Sequence, residues 1–313
     1  MDSLKTFLLK LLALICLVVV VDISIGLLFK NLFYKQKSGK YFTTSHALKN
    51  AGEDIVIFGN SHAAQHFNAP LMQAKSGKTV FNFGNQGQGL FYIYPTLKSM
   101  LAYHTPKLII INLDYEELRY DEAEYQRLFV FLPYYHLNPI IDSAIAMSGK
   151  YEQVKACSAM YRYNSLLGYM LLNIYKPTFN KSMASLGYDP NEGVISPSAI
   201  NESEKKSLPE QYVFDKNKIK YLINLINYIQ AKHVQLMVTT APLYRYNDSK
   251  NLYKDKLTAL LNQMQVAYFN DGDDAAFRNR NDLFHDDSHL NPKGADIWTQ
   301  KCLNYIQGKH LMN

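Results

Sequence analysis

The sequence predicts an α/β fold, a three-layer α/β/α sandwich built on a five-stranded, mainly parallel sheet. Short apolar runs rich in β-branched and aromatic residues alternate with longer segments in which apolar residues recur at helical spacing. Several of these runs are apolar throughout rather than at every second position, which is typical of strands buried on both faces. Gly, Asn or Pro follows several of the runs and ends the strand. An N-terminal transmembrane helix and a mainly helical insertion are predicted in addition.

The alternation predicts the positions of the strands and of the helices that connect them. The strands are expected at about 54–58, 79–83, 107–113, 234–239 and 266–269. Helices are expected at 91–104, 219–229, 252–264 and 297–306, where apolar residues lie on one face of each segment. Because strands alternate with helices, successive strands should run parallel, with helices on both faces of the sheet.

Residues 1–30 predict a membrane anchor. From Phe7 to Phe29 the chain is apolar except at Lys10, Asp22 and Ser24, and about 20 apolar residues span a bilayer as a helix. A cleaved signal peptide is the alternative, but no small-x-small cleavage site is found. Asp22 is costly in lipid, so it lies either near the membrane interface or beside a partner in the membrane.

Two arguments about the orientation of this anchor disagree. Lys5 and Lys10 precede the apolar run, whereas four lysines follow it closely, and the positive-inside rule would then place the large domain in the cytoplasm. The short N-terminal tail favours the opposite orientation.

Beyond the anchor, residues 31–52 are predicted to form a polar stalk and residues 53–313 one α/β domain. The strand–helix pattern breaks at about 119–210, a stretch with many tyrosines and six prolines. We interpret it as a mainly helical and looped insertion rather than a separate domain. Its tyrosines suit a cleft that binds sugar, an amphipathic core or a membrane-facing surface equally well.

Composition excludes some classes of protein. The net charge of +6 is modest and no dense Lys/Arg run is present, so a nucleic-acid partner is not expected. The three cysteines have neither the spacing of a metal site nor that of a disulfide framework. Cys157 and Cys302 either pair in an oxidising compartment or remain buried free thiols. No cofactor is expected.

Ser61 follows the first predicted strand directly, in the sequence Gly59-Asn60-Ser61-His62. A serine on a strand-to-helix turn, at the carboxyl end of a parallel strand, lies where open α/β sheets bind their ligands. A helix N-terminus beside it would favour developing negative charge. Because a serine after a strand is usually a helix N-cap, this motif alone is a weak signal.

A second motif lies near the other end of the chain. Asp286 precedes His289 by three residues, and a predicted helix follows. Serine is a weak nucleophile until a base takes its proton, and the base needs a carboxylate to hold its tautomer, so His289 and Asp286 are candidates for these roles. His285, Asp287 and His289 are an alternative metal-binding set, but nothing nearby completes it and no metal is expected.

The Gly-x-Ser motif at residue 61 and the Asp-x-x-His motif at 286–289, on either side of an α/β pattern, resemble the SGNH (GDSL-type) hydrolases. The resemblance covers about residues 53–115 and 212–307. It implies a flavodoxin-like sheet, with Ser61 as nucleophile, His289 as general base and Asp286 as the carboxylate that orients it. Anchored relatives usually act on envelope or exported polymers, which implies a catalytic domain on the extracytoplasmic side.

The resemblance also implies three donors to the oxyanion: the Ser61 backbone N–H, a glycine N–H after the second strand and an asparagine side chain after the third. Gly87 best matches the glycine. The asparagine is missing, because residues 113–116 read Leu-Asp-Tyr-Glu where the family has Gly-x-Asn-Asp. Asn85 is the candidate that replaces it.

Asn60 and His62 also differ from the residues usual in the family. The Gly-x-Ser-His form occurs in relatives that modify cell-surface polysaccharides with acyl groups. The expected function is therefore a serine esterase acting on an O-acyl ester, with O-acetyl expected, of a cell-surface or exported glycan through an acyl-serine intermediate. The expected partners are that glycan, the membrane and proteins that modify envelope polysaccharide.

Two other functions remain open at this stage. Release of the acyl group to a sugar hydroxyl would make the protein an O-acyltransferase, which uses the same triad. The missing asparagine also permits a non-catalytic glycan-binding or assembly module on the same scaffold.

Overall fold

The computed structural model describes residues 2–196, 213–245 and 251–312. They form two compact units, Met1–Lys37 with Leu128–Pro177 and Ser38–Arg127 with Thr178–Asn313. We call the first the anchor unit and the second the sheet unit, and each is described by itself.

Five parallel strands form the centre of the sheet unit, which confirms the predicted fold class. They are β1 (Ile55–Phe58), β2 (Val80–Asn82), β3 (Leu108–Asn112), β4 (Gln235–Thr240) and β5 (Ala267–Asn270). Their order is β2-β1-β3-β4-β5, the flavodoxin-like arrangement. In this order β1 and β3 are neighbours, paired from Ile55 with Leu108 to Phe58 with Ile111. The loops that follow these two strands therefore begin side by side.

The helices are numbered along the chain. They are α1 (Asp2–Phe33), α2 (Lys40–Lys49), α3 (Ser61–His66), α4 (Ala69–Ser76), α5 (Leu90–Met100), α6 (Glu122–Gln126), α7 (Pro139–Ser148), α8 (Glu152–Lys155), α9 (Leu167–Tyr175), α10 (Lys216–Ala231), α11 (Asn251–Gln263) and α12 (Pro292–Gly308). Short 3-10 turns lie at Tyr115–Leu118, Arg127–Tyr134, Asn164–Leu166 and Asn281–Leu283.

Helices cover both faces of the sheet, as the continuous apolar strands require. Successive strand residues point to opposite faces, so Ile55 and Ile57 lie in one core. In that core they pack with Trp298 and Cys302 of α12, and α12 in turn contacts α3 and α4. On the other face α5 packs between α2 and α10.

The sequence predicted a polar stalk at 31–52, but in the structure residues 40–49 form α2 and bury Tyr41, Ala47 and Leu48. The segment looks polar in sequence partly because of Thr43 and Thr44. Both hydroxyls donate to the Lys40 carbonyl one turn back, at 3.0 and 2.7 Å, which satisfies them inside the fold.

The anchor unit contains α1 and a large part of the predicted insertion. Its residues from 128 to 177 are mainly helical, as predicted, with α7, α8 and α9 joined by turns. They group with α1 and not with the sheet unit, whereas the sequence placed them in the α/β domain as an insertion. The last part of the predicted insertion, 197–210, lies outside the described residues. Asp22 finds its partners within this unit, since its carboxylate accepts from the Ser158 hydroxyl at 2.5 Å and from the Ala159 N–H at 2.7 Å.

Helix α1 is, within the described part of the chain, the one helix long and apolar enough to cross a membrane. Its 32 residues correspond to a length of about 48 Å. Helix α1 is therefore a candidate membrane span.

The three cysteines are free thiols. Cys302 is buried in the core beside α3 and α4, whereas Cys157 is exposed. Cys157 and Cys302 therefore do not form the disulfide that was one alternative. The other alternative, two buried free thiols, holds for Cys302 and not for Cys157.

Candidate active site

Ser61 is the first residue of α3 and lies at the carboxyl end of β1. The chain turns sharply at Gly59, where φ is 153° and a Cβ atom would lie 2.6 Å from the Ala63 Cβ and 2.7 Å from the Asn112 carbonyl oxygen. Asn60 is the N-cap, and its side-chain oxygen accepts from the His62 N–H at 2.9 Å. The helix cap is therefore Asn60, which leaves the Ser61 hydroxyl available for other contacts.

The loop at 284–290 is held in shape by its two ends. Phe284 and Leu290 form an antiparallel bridge, and the His285 N–H donates to the His289 carbonyl oxygen at 2.8 Å. Asn291 then caps α12 by accepting from the Gly294 N–H at 3.1 Å. This loop carries the Asp-x-x-His motif, and α12 fixes its position against α3.

The structure brings Ser61, His289 and Asp286 together, although Ser61 and His289 are 228 residues apart in sequence. His289 Nε2 lies 2.9 Å from Ser61 Oγ, and His289 Nδ1 lies 2.9 Å from Asp286 Oδ2. A serine hydroxyl, an imidazole and a carboxylate in this order are the arrangement in which the imidazole can accept the hydroxyl proton.

Asp286 is held as a carboxylate. Its partial burial opposes ionisation, but hydrogen bonds from the His289 side chain and from the N–H groups of Ser288 and His289 outweigh this and lower the pKa of Asp286 far below its ordinary value. A carboxylate at Nδ1 favours the tautomer with the proton on Nδ1, which leaves the Nε2 lone pair facing Ser61.

A buried histidine, His66, lies next to the loop that carries His289. The buried His66 ring stacks on the His62 ring, with centroids 4.7 Å apart, and its Nε2 accepts from the Leu290 N–H at 3.0 Å. Burial lowers the pKa of His66, and the neighbouring His62 and His289 lower it further. A neutral His66 therefore ties α3 to the loop that carries His289.

The cavity beside Ser61 has a volume of about 300 Å³ and lies within the sheet unit. Ser61, His62, Gly87 and Ser288 lie on its wall. Six side chains of charged type also line it: Asp114, Glu116, Glu117, Arg119, Glu124 and Arg127. Among the lining residues that the structure describes, Leu243 is the one aliphatic side chain, so this part of the cavity is strongly polar.

The two predicted oxyanion donors beyond Ser61 lie in different places. Gly87 lines the cavity with φ 69°, a left-handed conformation that favours glycine, and its carbonyl accepts from Arg127 Nη1 at 3.2 Å. Asn85 is fully buried, and both polar atoms of its side chain are shielded from solvent and lie near the Tyr92 hydroxyl. The expectation that the Asn85 amide points into the cleft is therefore wrong.

The backbone of Asn85 joins two parts of the loop structure around the cavity. Its N–H donates to the Gly59 carbonyl oxygen at 2.9 Å, and its own carbonyl accepts from the Gln88 N–H at 3.1 Å. The sequence did not reveal this, because an asparagine in a Gly-rich loop has the same local signature whether its amide faces the core or the cleft.

Replacing Asn85 with alanine is expected to lower stability and not chemistry. We expect the acylation rate to change less than about twofold, against the 10²–10³-fold loss typical of a removed oxyanion donor. The thermal midpoint should fall, since the variant leaves a gap beside Tyr92, at a cost of about 1–3 kcal/mol. Measuring both quantities on Asn85→Ala, with the exposed Asn304→Ala as control, decides the matter. A large loss of acylation rate in a stable Asn85→Ala protein would contradict this account.

Three further cavity residues lie close to the motif residues, and sequence reasoning did not assign them a role. His62 Nδ1 lies 2.6 Å from Asp114 Oδ1, and His62 Nε2 lies 3.0 Å from Ser288 Oγ. The one available signal was the departure of His62 and of the segment 113–116 from the family pattern, because His62 and Asp114 line the cavity.

A buried charged cluster forms another part of the wall. The Lys218 ammonium is fully buried, lies 2.7 Å from Glu124 Oε2 and donates to the Arg119 carbonyl oxygen at 2.9 Å. Glu117 Oε1 accepts from the Leu90 N–H at 2.7 Å. Burial raises the pKa of Glu117 to about 8; Lys218 opposes this rise, and the Glu124 carboxylate adds to it.

This raised pKa predicts a pH-dependent stability. Between about pH 5 and pH 8 the folded protein keeps a proton on Glu117 that the unfolded chain releases, so stability should fall as pH rises, by up to about 1.4 kcal/mol per pH unit. Glu117→Gln should flatten that slope, measured as thermal midpoint against pH. The exposed Glu122→Gln on α6 is the matched control and should keep the slope. Equal slopes in all three proteins would show that Glu117 is ionised.

The chain is similar in fold to several solved structures. It superposes on a protein described as lipolytic, of the G-D-S-L family, from Desulfitobacterium hafniense with 9% identity and a TM-score of 0.43, covering 80% of this chain and 98% of that one. A GDSL-like lipase from Bacteroides thetaiotaomicron has 8% identity and a TM-score of 0.40, covering 82% and 88%. An alpha/beta hydrolase enzyme from the metagenome of Lake Arreo has 12% identity and a TM-score of 0.42, covering 84% and 97%.

No family model matches the chain, and no curated protein matches its sequence. The structure brings Ser61, Asp286 and His289, the residues that the sequence resemblance to the SGNH (GDSL-type) hydrolases marks as catalytic, within hydrogen-bond distance of one another.

Proposed function

We propose that this chain is a serine ester hydrolase that works through an acyl-Ser61 intermediate. The observation that carries the proposal is the pair of contacts at His289, whose Nε2 lies 2.9 Å from Ser61 Oγ while its Nδ1 lies 2.9 Å from Asp286. Ser61 also lies on the wall of an open polar cavity, so an ester can reach its hydroxyl.

The two half-reactions use the same three residues. Ser61 Oγ attacks the ester carbonyl carbon while its proton passes to His289 Nε2, and Asp286 stabilises the imidazolium that forms. The bond from the carbonyl carbon to the alcohol oxygen then breaks, and His289 returns the proton to that oxygen. Water repeats the sequence on acyl-Ser61 and releases the acid.

Two backbone donors are proposed for the oxyanion. The Ser61 N–H is the first N–H group of α3, which has no partner within its own helix, and the Gly87 N–H belongs to a left-handed residue on the cavity wall. Tyr115 stands at the position of the family's asparagine, and its hydroxyl donates to Asn270 Oδ1 at 2.5 Å. The neighbouring Asp114 carboxylate is engaged by His62 and Asn60 and cannot donate when it is ionised, so the hole rests on the backbone groups.

The proposed substrate is an O-acyl ester of a glycan, with a short acyl group such as acetyl. A long lipid chain needs apolar walls, and among the described residues this cavity offers one aliphatic side chain, Leu243. Sugar hydroxyls need hydrogen-bond partners, which Gln88, Arg119 and Arg127 supply on the cavity wall.

A fluorophosphonate probe tests the proposed chemistry on the full-length protein in detergent. It should label the wild-type protein at Ser61, as mapped on peptides by mass spectrometry. An O-acetylated polysaccharide should then release acetate faster than an ester of a long-chain fatty acid is cleaved. The absence of label at Ser61 in a folded wild-type protein would contradict the proposed chemistry. A preference for the long-chain ester would contradict the proposed substrate.

We further propose that α1 anchors the protein in a membrane, with the sheet unit on the extracytoplasmic side. Its large apolar side chains are exposed from Leu4 to Val21, a stretch that corresponds to about 27 Å and so to the hydrocarbon core of a bilayer. Asp22 follows this stretch and is satisfied by residues 158–160 of the same unit.

The exposed Cys157 makes this proposal testable in spheroplasts. A membrane-impermeant maleimide should label Cys157 from outside in intact spheroplasts, because Cys302 is buried and Cys16 lies in the proposed span. The Cys157→Ser variant is the control and should lose the label. The protein should also stay with membranes after a high-salt wash. Labelling that requires lysis would reverse the orientation, and a mature N-terminus near residue 30 would mean a cleaved signal.

A further inference from the structure

The cavity holds a second hydrogen-bonded chain of a carboxylate, an imidazole and a serine hydroxyl. Asp114 Oδ1 lies 2.6 Å from His62 Nδ1, and His62 Nε2 lies 3.0 Å from Ser288 Oγ. The corresponding distances in the chain of Asp286, His289 and Ser61 are 2.9 and 2.9 Å. The two chains therefore have the same order of groups and comparable lengths.

The two chains are interleaved. Each Ser-His dipeptide, Ser61-His62 and Ser288-His289, supplies its serine to one chain and its histidine to the other. The imidazole rings at the centre of the two chains, His62 and His289, meet edge to face with centroids 5.3 Å apart.

The surroundings of His62 suit a base that acts on Ser288. The His62 side chain is buried, and Asp114 holds its Nδ1, so the tautomer with a lone pair at Nε2 is favoured. Asp114 is itself oriented by Asn60 Nδ2, which donates to Asp114 Oδ2 at 2.6 Å. Asn60 thus gives the second carboxylate a fixed position, as the N–H groups of Ser288 and His289 do for Asp286.

The hydroxyl of Ser288 is accessible to the same molecules as that of Ser61. Both residues, with His62 and Asp114, line the cavity of about 300 Å³. Ser288 lies within the loop that carries His289, and its N–H donates to Asp286 Oδ1 at 2.8 Å, so its backbone is fixed by the first chain.

We propose that Ser288 is a second nucleophile of this cavity, activated by His62 and Asp114, and that it takes an acyl group from the same class of ester. Ser288 Oγ forms a bond to the ester carbonyl carbon and gives its proton to His62 Nε2. The bond from that carbon to the alcohol oxygen breaks, and His62 passes the proton to the leaving oxygen. The products are acyl-Ser288, the free alcohol and a neutral His62, so no further reactant is needed.

A structural role is the competing explanation for the same contacts. In that case His62 would only tie α3 to the loop at 284–290, and Ser288 would never become acylated. Mapping the labelled serine separates the two explanations, because a structural contact carries no covalent label.

The experiment uses the full-length protein with Ser61→Ala and a small fluorophosphonate. We expect label on the peptide that contains Ser288, formed more slowly than label at Ser61 in the wild-type protein. Ser61→Ala/Ser288→Ala and Ser61→Ala/His62→Gln should lose it. The matched control is Ser61→Ala/Ser143→Ala, because Ser143 is exposed on α7 and its hydroxyl donates to the Pro139 carbonyl oxygen; this variant should keep the label.

Thermal midpoints establish that each variant is folded, and Ser61→Gly replaces Ser61→Ala if the latter is not. A folded Ser61 variant without label at Ser288 overturns the inference, as does label that survives Ser288→Ala at the same rate. The result is separable from that for the proposed function, because the wild-type protein reports on Ser61 and the Ser61 variants report on Ser288.

Discussion

Replacing Ser61 with alanine is expected to lower the rate of ester hydrolysis by about 10³–10⁶-fold. Loss of the nucleophile of a Ser-His-Asp triad costs on the order of 10⁶ in kcat, because the remaining groups cannot form the acyl intermediate. The lower limit applies if Ser288 supports a slower reaction in the same cavity. Ser61→Ala removes one hydroxyl on the cavity wall and should leave KM within a few-fold of its wild-type value.

The kinetic measurement is steady-state release of acetate from an O-acetylated polysaccharide. Ser143→Ala is the control and should retain wild-type kcat, since its hydroxyl bonds only to its own helix. Ser61→Ala/Ser288→Ala should reach the full loss of about 10⁶. A Ser61→Ala protein that keeps more than about a tenth of the wild-type rate, while the double variant matches it, would rule out both serines as nucleophiles.

Replacing Asp286 with asparagine is expected to lower kcat by up to about 10⁴-fold, with little change in substrate binding. The reason is the tautomer of His289. Its Nδ1 faces both carboxylate oxygens of Asp286, at 3.0 and 2.9 Å, and an amide in that place offers an N–H that favours the proton on Nε2. With that proton in place, His289 cannot accept one from Ser61.

Asp287→Asn is the matched control, because it makes the same change from carboxylate to amide at the neighbouring residue. It should keep kcat within a few-fold. Labelling by the fluorophosphonate gives a second readout, since Asp286→Asn should slow label formation at Ser61 without affecting His62 and Asp114. Equal effects of the two substitutions would mean that the net charge of the loop matters and the contact of Asp286 with His289 does not.

Much of the fold could be predicted because strand and helix signals are local. The run Ile55-Val56-Ile57-Phe58 is apolar in four consecutive residues, and all four are buried in β1. The five predicted strands each match an observed strand to within one or two residues at either end. The sequence did not predict α2 within the expected stalk, and the reason is again local. The hydroxyls of Thr43 and Thr44 donate to the backbone of their own helix, and composition does not reveal such hydrogen bonds.

In the candidate site, too, some contacts could be predicted from the sequence and others could not. Asp286 and His289 lie three residues apart, so their contact could be inferred from spacing, and the tight loop at 284–290 keeps it. The direction of the Asn85 side chain could not be inferred. It depends on whether the amide faces Tyr92 or the cavity, and Tyr92 belongs to α5, whose position is set by packing against α2 and α10.

The sequence by itself determined the five-stranded α/β fold, the apolar N-terminal helix and the identity of Ser61, Asp286 and His289 as one candidate set. Only the tertiary structure decided that His62 meets Asp114 and Ser288, that Glu117 lies buried near Lys218, and that Asn85 faces inwards. The physical reason is separation along the chain. His62 is 52 residues from Asp114 and 226 from Ser288, and such contacts exist only once β1 and β3 pair and α12 docks against α3.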